Sequence, residues 1–362
     1  MSVVSADPPR TEVEILSAAT AVIRARLPST WTISTEHPRL RSDSGVDALL
    51  ELRGPDEQAV EVLVEVKHEF RPRNIAAVRD QLAPLLAEHP GSIAAIFARH
   101  LSRSTRERLA DAGLSFADAT GNLLLRAETP ALFLGDRGAE HDPWRGRGRP
   151  HSTLNGEPAA KVVRALADIP GRWRIRDLIK ASGASTGSVY RVLGFLEAEA
   201  LAIREPDDRI TVPDWVALLR RWSQDYQFLH TNAITRCIAP RGLPGALDKM
   251  RRQAITDYAV TGSIAAGVWA PHAPARSAMV YANEPEEAAA AWGLRLTDTG
   301  ANILIARPAY PVVLERTVYA LDGLRVAAPT QVAVDLMNGP GRAPAEAEEL
   351  LTWMERNEQT WR

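Results

Sequence analysis

The chain switches repeatedly between two hydrophobic periods, and the switches outline its elements. In the opening stretch TEVEILSAATAVIRARL, Val13, Ile15, Leu16, Ala19, Ile23 and Leu27 recur at the spacing of a helix with one apolar face. TWTIST then alternates as a short strand. VDALLELRG and VEVLVEVKHEF follow as two more strands, and the PDEQA between them reads as a hairpin turn. NIAAVRDQLAPLLAEH returns to the helical period, and SIAAIFARHL reads as a buried strand. STRERLADAG is a helix with a Ser or Thr cap and a glycine stop, and LSFADATGNLLLRAETPALFLG closes as strands. Helix, three strands, helix, strand, helix, strand is the order of an α/β layer domain, expected over residues 1–141.

The middle of the chain reads differently. AAKVVRALADI, RIRDLIKASG and STGSVYRVLGFLEAEALA are three helices in succession, with Ser185 as the N-cap of the third. Only SGAS links the second to the third, and a short glycine-bearing link between two helices is the helix-turn-helix signature. LAIREPDDRITVPDW then supplies a strand, an Asp-Asp turn and a strand, which is a wing. Residues 158–227 are therefore expected to form a winged helix. In its third helix Val189, Val192, Leu193 and Leu196 sit at core spacing, while Ser185, Thr186, Ser188 and Arg191 are expected to face outward. Trp215, Leu218, Leu219, Trp222 and Tyr226 form one further stripe, fit for a core or a dimer seam.

The last segment, residues 228–362, mixes strands and helices again. YAVTGSIAAGVWAP reads as strand, Gly-Ser turn and helix; SAMVYAN and ANILIARP as strands; PEEAAAAWGL, APTQVAVDLMNG and APAEAEELLTWMERNE as helices. The whole chain is expected to be a multidomain α/β protein.

Charge changes this picture locally. The net charge is −2, so the chain is not a basic nucleic-acid coat. From Trp144 to Arg221, however, there are fourteen Lys/Arg against nine Asp/Glu, the local surplus that a DNA reader needs. Just before the winged helix lies RGRGRP, within a linker at residues 142–157. Arg145, Arg147 and Arg149 alternate there with glycines that let a backbone approach a groove floor. The run can be a DNA-binding arm or a plain tether. In the third helix, hydroxyl residues at the N-terminus allow close approach to phosphates, and Arg191 is long enough to reach a guanine edge. Tyr190 reads equally as a phosphate contact or as packing. Arg204 and Arg209 flank the wing turn. Cys237 is the only cysteine, which leaves no disulfide framework and fits a reducing cytosol. The N-terminal stretch lacks the pattern of a secretory signal and no apolar run reaches membrane length, so a cytoplasmic protein without a membrane partner is expected.

One strand carries candidate chemistry. In EVLVEVK, Val62, Val64 and Val66 share one face and Glu61, Leu63, Glu65 and Lys67 the other. Asp47, at the start of the preceding strand, can lie beside Glu65 and Lys67. Two carboxylates can hold magnesium, and a lysine beside it can orient a water and offset phosphate charge. Glu14 on the first helix can add a third carboxylate.

Three resemblances follow from these residues. Asp47, Glu65-Val66-Lys67 and a following helix with Gln81 resemble the PD-(D/E)xK nuclease superfamily, without the proline that normally precedes the Asp. The resemblance implies Asp47 and Glu65 as metal ligands and Lys67 as catalytic lysine, in an active or an inactive descendant; no other cofactor is expected. Thr261-Gly262-Ser263 resembles the entry turn of nucleotidyltransferases, but the next strand, Met279-Val280-Tyr281-Ala282, lacks their paired acids, so transferase activity is not expected. GLSFADATGNLLL and RVAAPTQVAVDLMNGPGRAPAEAEELL resemble segments of AbiEi-type antitoxins, which generally begin with their winged helix, as this chain does not. That likeness implies a transcriptional regulator whose partners are double-stranded DNA and a nucleotidyltransferase toxin. A homodimer is expected for a palindrome reader. A magnesium-dependent nuclease guided by the winged helix, and a toxin-binding module, are the competing readings.

Overall fold

A computed structural model describes residues 7–36, 45–144, 153–252, 257–320 and 322–362. Its mixed α/β class is as expected from the sequence. The chain packs as two compact units, Met1–Arg149 with Ala198–Ala200, and Pro150–Glu197 with Leu201–Arg362.

The first unit runs α1 (Glu12–Arg24), β1 (Thr32–Glu36), β2 (Ala48–Arg53), β3 (Ala59–Lys67), α2 (Ile75–Glu88), β4 (Ile93–Ala98), α3 (Arg103–Asp111), β5 (Ser115–Asp118), β6 (Leu123–Ala127) and β7 (Leu132–Asp136). The seven strands lie in sequence order; β3, β4 and β5 are parallel, and the flanking pairs antiparallel. Alternation along β3 splits the core. Val62, Val64 and Val66 pack with Ile15, Ala19 and Ile23 of α1, and Leu63 packs on the opposite side with Val78 and Leu82 of α2 and Leu109 of α3. Thr11 caps α1 in a reciprocal pair with Glu14, and Val13 lies outside the buried stripe.

The loop after β5 is locked by one buried carboxylate. Asp118 accepts hydrogen bonds from the amides of Leu101, Thr120 and Asn122, from the Thr120 hydroxyl and from the Asn122 side chain. Asn122 in turn accepts from the Gly138 amide and from Arg106. Gly138 crosses so close to this loop that a Cβ there would lie 2.2 Å from the Thr120 carbonyl oxygen. Asp118, Gly121 and Asn122 are thus turn formers.

The second unit begins with α4 (Glu157–Asp168), α5 (Ile175–Ser182), α6 (Thr186–Ala198), β8 (Ile203–Arg204), β9 (Ile210–Thr211) and α7 (Trp215–Ser223). Strands β8 and β9 pair antiparallel, and a bridge from Trp173 to Ile210 adds a third edge to this small sheet. There follow α8 (Phe228–Thr231), β10 (Ala233–Ile238), α9 (Gly242–Arg252), β11 (Tyr258–Thr261), α10 (Gly262–Ala266), β12 (Ala278–Ala282), α11 (Pro285–Ala291), β13 (Arg295–Leu296), β14 (Ile303–Arg307), β15 (Val318–Tyr319), β16 (Arg325–Val326), α12 (Pro329–Met337), α13 (Ala343–Arg356) and α14 (Glu358–Trp361). Their seven strands run β13-β10-β14-β12-β11-β16-β15. A single apolar core extends from Leu154 through Leu193, Trp222 and Val280 to Met354. The stripe Trp215, Leu218, Leu219, Trp222 and Tyr226 is buried inside it, so it is core. Among the described residues no helix is long and apolar enough to cross a membrane.

Candidate functional site

The third helix of the winged-helix segment begins as its sequence requires. Ser185 accepts a hydrogen bond from the amide of Ser188 at 3.3 Å and so caps α6. Gly183 takes the left-handed conformation at φ 62° that ends α5. Val189, Leu193 and Leu196 are fully buried, and Ser185, Thr186 and Arg191 are exposed. Tyr190 is 53% exposed. Ser188 departs from its expected outward position. Three residues past the cap, it turns back to hydrogen-bond the Ser185 hydroxyl at 2.9 Å and is buried. Arg191 makes no ion pair among the described residues.

The wing arginines are differently placed. Arg204 pairs with Glu197 at 3.0 Å and with Asp208 at 2.8 Å, and Arg209 with Asp207 at 3.3 Å. Arg172 reaches the same turn, 2.7 Å from Glu205 and 3.2 Å from Asp207. The Asp-Asp turn that shapes the wing, with Asp208 at φ 62°, therefore also neutralises its cations. Within residues 158–227 the cations without a carboxylate partner among the described residues, Arg174, Lys180 and Arg191, belong to α5, its leading residue and α6. Arg145, Arg147 and Arg149 lie outside the described residues.

In the first unit the nuclease-like residues converge. The Asp47 carboxylate accepts from the Val66 amide at 2.8 Å and lies 4.0 Å from the Lys67 ammonium. Lys67 also pairs directly with Glu65. Gln81 of α2 donates to the Gly45 carbonyl at 3.0 Å and to Glu65 at 3.3 Å. Glu65 is only 5% exposed. Both carboxylates thus approach one positive charge at the end of β3. Glu14 does not join them: it is engaged at the start of α1, on the other side of the sheet. Among the described residues no group of three His, Cys, Asp or Glu is poised to hold a metal.

A buried polar network, not foreseen from the sequence, lies in the second unit. Asp335 of α12 accepts from Thr261 at 2.6 Å, Tyr281 at 2.7 Å and Gln331 at 2.9 Å. Burial pushes its carboxyl up to about 7, against the lowering effect of those hydrogen bonds. Burial likewise raises the phenols of Tyr281 and Tyr226, which share a 2.7 Å hydrogen bond. Gln331 also accepts from Arg164 of α4 at 3.0 Å. Arg164 is fully buried and binds Asp168 at 2.9 Å, as does Arg316 at 2.6 Å. Burial opposes the Asp168 charge, yet the two guanidinium groups and the Thr330 hydroxyl hold its carboxyl below the ordinary value. A signal for this network exists in the sequence. Arg164 with Asp168, and Gln331 with Asp335, are polar pairs four residues apart in helices rich in Ala, Val and Leu. Asp335 brings a carboxylate to the Thr261-Gly262-Ser263 turn from α12 rather than from the following strand.

Compared with known protein families, curated proteins and solved structures, the chain matches none.

Proposed function

We propose that this protein is a sequence-specific DNA-binding transcriptional regulator whose helix α6 enters the major groove. The observation that carries this reading is the exposed start of α6, where a capped helix N-terminus presents Thr186, Tyr190 and an Arg191 without an acidic partner. Ser185 and Thr186, with the N-terminal amides, receive backbone phosphate; Arg191 reads a base edge. The wing contributes shape more than charge, because Arg204 and Arg209 are already engaged. Arg145, Arg147 and Arg149 run along the neighbouring minor groove, and two copies read a palindrome. The likeness to AbiEi-type antitoxins extends the reading to a repressor of its own operon that antagonises a nucleotidyltransferase.

The test is footprinting of the full chain on its upstream DNA, followed by titration of the protected site. Arg191→Ala is expected to cost about 1–3 kcal/mol and to relax discrimination at one base pair. Arg147→Ala with Arg149→Ala is expected to lower affinity for all sequences and to flatten its salt dependence. Absence of a footprint, or an Arg191→Ala variant with unchanged specific affinity, would overturn the assignment.

A second reading is favoured by the Asp47, Glu65, Lys67 and Gln81 cluster: a magnesium-dependent DNA nuclease targeted by the winged helix. Magnesium held by Asp47 and Glu65 would supply charge neutralisation at phosphate. Lys67 would orient the attacking water, and Gln81 keeps Glu65 in place. Plasmid incubated with protein and magnesium distinguishes the readings. Cutting that Glu65→Ala abolishes establishes the nuclease; intact plasmid at equal protein leaves the regulator.

A further inference from the structure

At the start of α9 the chain gathers cations without acids. A pocket of about 210 Å³ is lined there by Arg241, Gly245, Lys249, Trp292, Gly293 and Arg295, among others. Every charged side chain in its wall is positive. Arg241, Lys249 and Arg295 make no ion pair among the described residues, whereas neighbours on the same helix do. Arg251 pairs with Asp322, and Arg252 with Asp248 at 3.1 Å. Three like charges around one concavity repel each other unless an anion lies between them.

Two further features fit an anion. Gly242, at φ 72°, turns the backbone into an eleven-residue helix in whose first turn the Gly242 amide is bonded to the Ala239 carbonyl and Pro244 carries no N–H, which leaves the Leu243 amide as donor. Trp292, 1% exposed, lines the same wall. The Lys249 ammonium lies 2.1 Å from where a Cβ on residue 293 would stand, so Gly293 is what gives the lysine its place. Lys249 is partly buried in the wall.

We propose that Arg241, Lys249 and Arg295 form a binding pocket for the phosphoryl group of a small phosphorylated molecule. The phosphoryl oxygens take charge-assisted hydrogen bonds from the three cations. The site is independent of the DNA-reading surface in residues and in test.

Isothermal titration of the full chain with inorganic phosphate and with diphosphate, against chloride at matched ionic strength, tests it. Saturable binding is expected, with a ligand-dependent rise in unfolding temperature. Lys249→Ala and Arg295→Ala are each expected to weaken binding by about tenfold or more. Gly293→Ala, whose Cβ displaces the ammonium, is expected to weaken it too. Arg241 and Arg295 are exposed, so their removal leaves the core intact, and unchanged circular dichroism certifies each variant. No saturable binding, or binding indifferent to Lys249→Ala and Arg295→Ala, would sink the proposal. Variants that lose duplex affinity while phosphate never binds would instead assign these cations to DNA.

Discussion

Arg164 donates from its guanidinium to the Gln331 side-chain oxygen across 3.0 Å, and this one bond joins the first helix of the winged-helix segment to helix α12. The same guanidinium reaches the carbonyls of Val312 and Glu315, each at 3.2 Å. A fully buried arginine is tolerable only because Asp168 and these oxygens meet it.

Replacing Arg164 by Ala removes the charge that Asp168 was buried against, although Arg316 remains. A loss of about 3 kcal/mol is expected, read as a lower urea midpoint with unchanged slope. Arg164→Met, which fills the space, is expected to cost about as much, because the Gln331 oxygen loses its donor and Asp168 keeps only Arg316 and Thr330. A loss below about 0.5 kcal/mol for either variant would contradict this account.

Asp335 gives the stability a definite pH dependence. Its folded-state value near 7 exceeds the ordinary 3.8, so between these values the folded protein holds a proton that the unfolded chain has released. Its contribution is fully present below about pH 4 and is lost as pH rises toward 7, by roughly 4 kcal/mol at most. Asp168 has the opposite sign: its lowered carboxyl stabilises above its unfolded value and loses that contribution only in stronger acid. Thermal unfolding scans from pH 4 to pH 8 are expected to show a decline in the wild type that Asp335→Asn reduces. An identical decline in both proteins would refute it.

Gly138→Ala is expected to be among the costliest small substitutions in the first unit. The new Cβ would meet backbone on three sides, at 2.2 Å from the Thr120 oxygen, and 2.6 Å from both the Asn122 nitrogen and the Gly121 carbonyl carbon. Backbone cannot rotate away as a side chain can, so a loss of at least about 2 kcal/mol is expected. Gly113→Ala makes the contrast: it meets nothing within 4 Å and carries only the cost of φ 74°.

Arg204→Ala should leave DNA affinity within about twofold, because Glu197 and Asp208 already neutralise it. Glu197→Gln with Asp208→Asn is expected to do more, by raising affinity at low salt. Fluorescence anisotropy on a labelled duplex measures both, and a large loss from Arg204→Ala alone would return the wing to the contact surface.

Much of this was readable from the residues. The strict alternation of EVLVEVK put Glu65 and Lys67 on one face, and Asp47 followed because strand β2 pairs antiparallel with β3. The apolar spacing of α4, α5 and α6 was equally plain. Strand β10 was not, since Ala233 to Ile238 shows no clean two-residue alternation, and α9 opens with Gly242, Pro244 and Gly245 within four residues, types that disfavour a helix. The two-residue strands β13, β15 and β16 are too short to carry a period. Ser188 was placed outward because spacing alone does not reveal a hydroxyl turning back to its cap. The pairing of the wing cations was hidden for a related reason: it depends on a turn that folds Asp207 and Asp208 back beside their own arginines.

The apolar interior that runs unbroken from Leu154 to Met354 has a practical corollary. Trp222 and Tyr226 are covered from the carboxy-terminal side, and Tyr226 hydrogen-bonds Tyr281. A gene fragment stopping after residue 227 would translate into a half-built, adhesive polypeptide.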